Sequence, residues 1–324
     1  YATNDIVMIY HADMYALPEL DLMVNKYIKP GVVVSMTRIE PPLHPKGPEK
    51  ILLDFGIEPE EFDEQKLIHW FYSDENYFLD KTTEGIFAPW AIYKSDFQKI
   101  GGHDSLYAPQ SKEDSDIFNR FQLAGYKFIQ TWEGFVYHMT CRGSRFADGA
   151  KRNPDGEVFM KNRETDEWLK QNIRSTRNFI RKWGHFVKHD EYLKPIIPPK
   201  YDIGFVIKNQ INYQTLYELE PWCSNIYCEY PKYMREQFVR AEQPDTTYDL
   251  DERVKRFHSE KNNDILVEFD INQFTNQSFQ YIQQLSEILS SDEKLEVGEF
   301  ELDIFKIRVN KINTYEESLI KCQK

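Results

Sequence analysis

The stretch Asp5-Ile6-Val7-Met8-Ile9-Tyr10-His11-Ala12-Asp13-Met14 is the most informative part of this 324-residue chain. It is an apolar run that ends in two possible metal ligands, His11 and Asp13. We interpret residues 5–10 as a buried strand from the middle of a sheet, and strand side chains two positions apart point the same way. Ligands at such a strand end lie where open α/β sheets bind their substrates. The stretch therefore predicts an α/β fold with a site at this strand end.

Two later segments carry similar chemistry. The acidic cluster Glu113-Asp114-Ser115-Asp116 lies at the start of a predicted amphipathic helix, Asp114 to Ala124, and Gly125 caps its end. His138 follows a predicted strand, Lys127–Tyr137. A carboxylate at a helix start is favoured in its ionised form, and it can take a proton from a hydroxyl group. Because a lone His-x-Asp pattern is common by chance, the combination of the three segments carries the prediction.

Each of these residues also has a structural interpretation. His11 would cap the strand end, and His138 would be an ordinary core histidine. Glu113 and Asp114 would simply be acids at a helix start. For Asp116 we expect only a capping or solvated position. The residues alone leave these alternatives open.

Charge and cysteine content exclude several classes of protein. Forty basic against fifty-three acidic residues give a net charge of −13, which argues against nucleic-acid or anionic-membrane binding. An anionic ligand would need a metal or a local basic island. Neither a signal peptide nor a run of about 20 apolar residues is visible. The four cysteines match neither a disulfide framework nor a zinc site. These features predict a cytoplasmic protein without a membrane span.

The remaining pattern alternates strands and helices and predicts two domains. Further strands are expected at 32–37, 86–93, 202–207, 264–269 and 299–309, and further helices at 18–28, 59–72, 163–183 and 275–289. We predict a first domain over 1–160, a helix and proline-rich linker over 161–200, and a smaller α/β accessory domain over 201–324. The loop at 142–157 holds the basic island: Arg142, Arg145, Lys151 and Arg152.

The order and spacing of several motifs resemble the landmarks of family 2 glycosyltransferases with a GT-A fold. These motifs are His11-Ala12-Asp13, Trp90, Ile100-Gly101-Gly102-His103-Asp104, Glu113-Asp114-Ser115-Asp116 and Tyr137-His138. The resemblance covers about residues 1–160 and implies a partial, Rossmann-like GT-A domain. The chain start corresponds to the strand before the family's metal motif. We therefore expect that an N-terminal portion, which supplies much of the nucleotide-base pocket in that family, is missing from this sequence.

The resemblance also implies a set of site residues. Mn²⁺ or Mg²⁺ would be held by His11, Asp13 and His138, and His11 departs from the usual Asp-x-Asp motif of the family. Asp114 would be the general base, and Glu113 would orient the acceptor or the base. The other implied roles are substrate contacts by Trp90, Gly101, Gly102, His103 and Asp104, and diphosphate binding by Arg142 and Arg145.

The function implied is that of a metal-dependent glycosyltransferase of the hexosyltransferase type, acting in glycan or polysaccharide synthesis. It would move a sugar from a UDP- or GDP-linked donor to an acceptor hydroxyl, with inversion because a carboxylate base is available. Three alternatives remain: a retaining glycosyltransferase, a non-catalytic sugar-binding or scaffold protein of the same fold, and a metal-dependent hydrolase of nucleotide sugars.

Overall fold

The computed structural model describes residues 2–42, 46–57, 60–73, 78–139, 150–152, 158–160, 166–291 and 296–322. The chain forms two compact units. The first unit comprises Tyr1–Gly102, Ile117–Lys170 and Lys188–Ile196, and the second comprises His103–Asp116, Gln171–Val187 and Ile197–Lys324. Each unit contains a sheet with helices, so the predicted α/β class is confirmed.

Among the described residues, the first unit is built on a mixed seven-stranded sheet. Its strands are β1 (Ile6–Ile9), β2 (Met14–Ala16), β3 (Val32–Glu40), β4 (Lys50–Leu52), β5 (Thr82–Thr83), β6 (Trp90–Tyr93) and β7 (Lys127–His138). The main path runs β1-β6-β3-β7-β2, with β4 beside β3 and β5 beside β7. Strand β3 is parallel to β4 and β7, whereas β6 is antiparallel to β1 and β3. A separate antiparallel pair is formed by β8 (Ala150–Arg152) and β9 (Val158–Met160).

Strand β1 differs from its predicted position. It lies at one end of the strand path and pairs with β6, and all four of its residues are half-buried. The prediction of a fully buried central strand over 5–10 is therefore wrong. The buried central strand is β3, in which all nine residues are buried. Apolar content alone does not separate these positions, because an edge strand also covers one face of a core.

The first five helices are α1 (Leu20–Tyr27), α2 (Glu64–Phe71), α3 (Lys94–Lys99), α4 (Glu113–Leu123) and α5 (Asp166–Trp183). Helix α4 follows its predicted pattern closely. Phe118 and Phe121 pack their rings edge-on against buried Trp90, with centroid distances of 5.9 and 5.5 Å. Gly125 ends the helix with φ of 80°, a conformation that glycine adopts without strain.

The described part of the second unit holds a six-stranded sheet. Its strands are β10 (Ile203–Gln210), β11 (Asn225–Glu229), β12 (Val254–Arg256), β13 (Ile265–Asp270), β14 (Gly298–Leu302) and β15 (Phe305–Val309), and its helices are α6 (Tyr213–Leu219), α7 (Met234–Glu242), α8 (Leu250–Arg253), α9 (Asn276–Gln283), α10 (Leu285–Ser291) and α11 (Glu316–Leu319). The order is β12-β11-β10-β13-β15-β14. The first four strands are parallel, and β14 and β15 form an antiparallel hairpin.

Two segments of the second unit that the sequence predicts as single elements each form two elements in the structure. The predicted strand over 299–309 is the β14–β15 hairpin, which turns at Asp303 with a φ of 52°. Aspartate tolerates this left-handed conformation better than most residues. The predicted helix over 275–289 is α9 followed by α10. Of the described helices, none has the length and apolar character that a membrane crossing requires.

The contiguous domain ranges predicted from the sequence differ from this division. The greater part of α5 belongs to the second unit, together with 103–116. Side chains of α5 explain this grouping, since Asn178 donates to the Leu106 carbonyl at 3.4 Å and Arg181 binds Glu220 at 2.7 Å.

A buried charge cluster anchors α5 within the second unit. Fully buried Glu220 lies 2.7 Å from Arg181, 2.6 Å from Arg253 and 3.5 Å from Arg177. Burial opposes the charged form of Glu220, yet the arginines outweigh this effect and lower its pKa to about 2. A carboxyl with a lowered pKa stabilises the fold above its unfolded-state value of about 4.5, and this contribution is lost as the pH falls towards 2.

We expect Glu220→Gln to lower the free energy of unfolding at pH 7 by about 3–5 kcal/mol, because the buried arginines lose their counter-charge. The variant should also lose less stability than the wild type between pH 4.5 and 2. Urea unfolding at several pH values measures both effects. Glu252→Gln, at an exposed position paired with Lys255, is the matched control and should follow the wild type. If the free energy of unfolding of Glu220→Gln fell between pH 4.5 and 2 as steeply as that of the wild type, the lowered pKa of Glu220 would be contradicted.

Candidate metal centre

Three predicted ligands come together in the first unit. One ligand atom from each of His11, Asp13 and His138 can be chosen so that all three lie within 4.8 Å of one another. The imidazole Nε2 of His138 is 3.5 Å from Oδ2 of Asp13, and the rings of His11 and His138 are 6.1 Å apart. Two imidazoles and a carboxylate at this spacing form a set that can hold a divalent cation.

A turn brings His11 and Asp13 together, rather than the strand alternation predicted from the sequence. Strand β1 ends at Ile9, and the Met14 amide then donates to the His11 carbonyl at 3.3 Å. Strand β2 begins at Met14 and pairs with β7, with Met14 opposite His138. The Met139 amide also donates to the Asp13 carbonyl at 2.9 Å. The turn and the β2–β7 pairing therefore place all three ligands side by side.

The site lies at the carboxyl ends of two parallel strands. Ile39 of β3 is in register with Tyr137 of β7, and Glu40 and His138 are the next and last residues of these strands. This is the edge at which α/β sheets bind ligands. The predicted location at a strand end is thus retained, although the strands that define it are β3 and β7.

Glu40 holds His138 in place and is a site residue that we do not predict from the sequence. Its Oε1 is 2.8 Å from Nδ1 of His138, and its side chain is 2% exposed. Its other oxygen, Oε2, accepts from Lys50 at 2.9 Å, and Arg38 lies 3.6 Å from Oε1. A carboxylate behind a ligating histidine fixes the ring orientation and the tautomer. With Nδ1 bound to Glu40, Nε2 of His138 faces Asp13.

The sequence around Glu40 contains a pattern that marks it as a candidate site residue. The run Val32–Glu40 is uncharged until Arg38 and Glu40, two charged residues at a spacing of two. Charged side chains at the end of a buried strand require partners, because an isolated buried charge is very costly. The partner on the next strand, His138, is not evident without the β3–β7 pairing.

The electrostatics of this cluster favour a charged His138 beside two carboxylates. Burial disfavours the charged imidazole, but the hydrogen bonds to Asp13 and Glu40 outweigh it and raise the pKa of His138. Burial likewise opposes ionisation of Glu40, yet His138, Arg38 and Lys50 hold its pKa well below the usual range. A divalent cation placed beside Asp13 would substitute for the proton on Nε2, since metal binding to histidine releases protons.

Phe87 forms an apolar boundary of the cluster. Its ring centroid is 6.0 Å from that of His11 and 6.4 Å from that of His138. The guanidinium of Arg38 lies 3.9 Å above the same ring. A low-dielectric wall strengthens the interaction of charges beside it.

The predicted catalytic acids belong to the second unit. Glu113 and Asp114 are half-buried in the first turn of α4. Their catalytic roles stay predictions. Asp116 is fully buried and lies 2.8 Å from Lys182, while Trp183 donates to it at 3.0 Å. The expectation of a solvated Asp116 is therefore wrong.

The Gly101-Gly102 turn has the backbone that the sequence predicts. Both glycines have positive φ, 89° and 68°, which other residues rarely adopt. Fully buried Arg120 holds the turn by donating to the carbonyls of Ile100 at 2.8 Å and Gly102 at 2.6 Å. The conformation is confirmed, and the proximity of this turn to a sugar stays a prediction.

Two predicted substrate contacts are placed in the interior instead. Trp90 is 0% exposed among Phe97, Phe118 and Phe121, so its ring presents no accessible face to a sugar. Asp104 is 2% exposed, and its carboxylate accepts from Lys182 at 2.9 Å.

The structure does not test the remaining predicted contacts, those of His103, Arg142 and Arg145. His103 is half-buried in the second unit, and its substrate contact stays a prediction. Arg142 and Arg145, expected at the diphosphate, lie outside the described residues. Comparison with known proteins adds nothing to these assignments, because no family model and no curated protein matches this chain.

We expect Mn²⁺ to bind the wild-type protein and to raise its melting temperature, with a smaller effect of Mg²⁺, which prefers oxygen ligands. His11→Ala, Asp13→Ala and His138→Ala should each abolish the Mn²⁺ response. Glu40→Gln should weaken Mn²⁺ binding by about 10–100-fold, because His138 loses its orienting carboxylate. Calorimetric titration and thermal melts measure both effects.

Glu49→Gln is the matched control for Glu40→Gln. Glu49 lies 3.4 Å from Arg38 and 3.8 Å from Lys50, the same two cations that hold Glu40. His69→Ala, at an exposed position of α2, controls for the loss of a histidine. A Mn²⁺ affinity that is unchanged in His138→Ala would show that the three residues do not share a cation.

Proposed function

We propose that this protein is a metal-dependent glycosyltransferase that moves a sugar from a nucleoside diphosphate donor to an acceptor hydroxyl, and that its first unit is a partial GT-A domain. The observation that supports this proposal most strongly is the clustering of His11, Asp13 and His138 at the carboxyl ends of β3 and β7. These are the residues for which the resemblance to family 2 glycosyltransferases implies a metal role. Their convergence was not required by the order of the motifs alone.

The donor set suits Mn²⁺ better than Mg²⁺. Two imidazole nitrogens and one carboxylate favour a transition metal, whereas Mg²⁺ is usually held by carboxylates, phosphates and water. A bound cation would neutralise negative charge on the departing pyrophosphate.

The protein side chains around the cation would have distinct roles. Glu40 would keep Nε2 of His138 directed to the site, and Lys50 and Arg38 would hold Glu40 in place. Phe87 would exclude water from the face of His11 that it contacts. Because Glu40 is held by cations of its own, it would stay in place when a cation binds or leaves.

The proton-transfer role rests on the resemblance. Asp114 would accept the proton of the acceptor hydroxyl as the sugar carbon is attacked, and Glu113 would orient the acceptor or the base. A carboxylate base used in this way favours an inverting displacement.

The same donor set has a second chemical interpretation. Two histidines and one carboxylate with open positions hold Fe²⁺ in non-haem, oxygen-activating enzymes. A protein of this second class would consume oxygen with Fe²⁺ and would show no dependence on a nucleotide sugar. We rank it second because the ordered motifs outside the triad have no role in it.

The decisive test is a panel of UDP- and GDP-linked sugars with Mn²⁺, read by calorimetric binding and by product formation, and run on the whole protein. Asp13→Ala should lose cation-dependent donor binding. Asp114→Asn should bind the donor as the wild type does and lose transfer by about 10²–10⁴-fold, which is the usual contribution of a general base. Asp21→Asn, at an exposed position of α1, should retain both properties.

The outcomes separate the alternatives. Donor binding without turnover would favour the non-catalytic sugar-binding protein, and free sugar released without an acceptor would favour a hydrolase. A product bond of retained configuration would assign a retaining mechanism. Unimpaired transfer by Asp114→Asn would remove it as the base.

A further inference from the structure

The second unit contains a cavity with a basic lining, and none of its lining residues belongs to the candidate metal centre. It has a volume of about 300 Å³, and we call it the Lys200 cavity. It is lined by Arg181, Lys182, Lys200, Tyr201, Asp202, Ser224, Tyr248, Arg253, Tyr315, Ser318 and Leu319. The lining holds four cationic side chains and one carboxylate, although the chain as a whole carries a net charge of −13.

Three of the four cations have carboxylate partners behind the cavity wall. Arg181 and Arg253 both bind Glu220, and Lys182 lies between Asp104 and Asp116. These contacts hold the three side chains in fixed positions. Arg177 also approaches Glu220, so three arginines surround this carboxylate. Among the described residues, one further carboxylate pairs with these arginines, that of Glu242, 3.4 Å from Arg177.

Lys200, the fourth cation, contacts a backbone carbonyl instead of a carboxylate. Its ammonium donates to the Arg181 carbonyl at 3.1 Å, and no carboxylate oxygen of the described residues lies within 4.0 Å of its Nζ. The lining carboxylate, Asp202, accepts instead from the Asn263 side chain at 2.7 Å and from the Asp264 amide at 3.3 Å. Burial, together with the charge of Arg253, lowers the pKa of the Lys200 ammonium to about 8. An anion beside Nζ would relieve this unfavourable environment.

The backbone around Lys200 makes room for its side chain. Gly184 has a φ of 81° at the end of α5, and a Cβ there would lie 3.3 Å from Cδ and 3.4 Å from Nζ of Lys200. Ser224 and Tyr248, which both carry hydroxyl groups, line the same cavity. An ammonium group with nearby hydroxyl donors is a suitable set for phosphoryl oxygens.

We propose that the Lys200 cavity binds a small phosphorylated molecule, with Lys200 as its principal charged contact. The volume is at the lower end of the range for small-molecule pockets, and it suits a phosphate group with a small organic part. Leu319 and Tyr201 provide the apolar surface for that part. The proposal is independent of the metal centre.

Thermal melts and calorimetric titrations of the whole protein with inorganic phosphate and with glycerol 3-phosphate test this proposal, at an ionic strength held constant with sodium chloride. Both probes should raise the melting temperature of the wild type. Lys200→Met should bind them about tenfold more weakly or worse, since a charge-assisted hydrogen bond is lost. Lys208→Met, an exposed lysine of β10 paired with Glu268, removes the same charge and should bind as the wild type does.

Each outcome decides the proposal. Tighter binding of glycerol 3-phosphate than of phosphate would identify a phosphomonoester as the ligand, and the reverse would identify free phosphate. Ser224→Ala keeps all the charges and should weaken the binding of both probes severalfold. It serves as the test if Lys200→Met does not fold. The proposal would be overturned if sodium chloride alone raised the melting temperature as much as the probes do. Equal affinity of Lys200→Met and the wild type for the probes would overturn it as well.

Discussion

The parallel pairing of β3 with β7 is the constraint on which the candidate metal centre depends. It aligns Ile39 with Tyr137, so that Glu40 and His138 meet although 98 positions separate them in the chain. The antiparallel pairing of β2 on the other side of β7 adds Asp13. A change of one residue in either register would turn these side chains to opposite faces of the sheet. The backbone pairing of β3, β7 and β2 thus places the members of the cluster side by side.

Buried charge is a second theme of this acidic protein. Glu40 and Glu220 are almost fully enclosed, and each is surrounded by cations that outweigh the cost of burial. Breaking such a cluster leaves an uncompensated charge, so its members stabilise the fold only together. The two clusters differ in what they position. Glu40 orients an imidazole at a strand end, whereas Glu220 holds Arg181 and Arg253 in the lining of the Lys200 cavity.

Local pattern predicted the elements well and their environments less well. Helix α4 was predictable because its apolar spacing and Gly125 are both local signals, and the structure agrees to within a residue. The interior positions of Trp90 and Asp116 were not, because burial depends on what packs against them from distant parts of the chain. The same holds for Lys182, the buried partner of Asp116, which no local pattern links to it.

The sequence by itself determined the α/β class, the strand over 32–37 that lies within β3, and the choice of His11, Asp13 and His138 as candidate metal ligands. It could do so because apolar periodicity and side-chain chemistry are properties of short segments. Only the tertiary structure decided that β1 lies at the end of the strand path, that a turn aligns the first two ligands, and that Glu40 supports the third. Strand order and register arise from contacts between distant segments, and a single sequence does not record which segments pair.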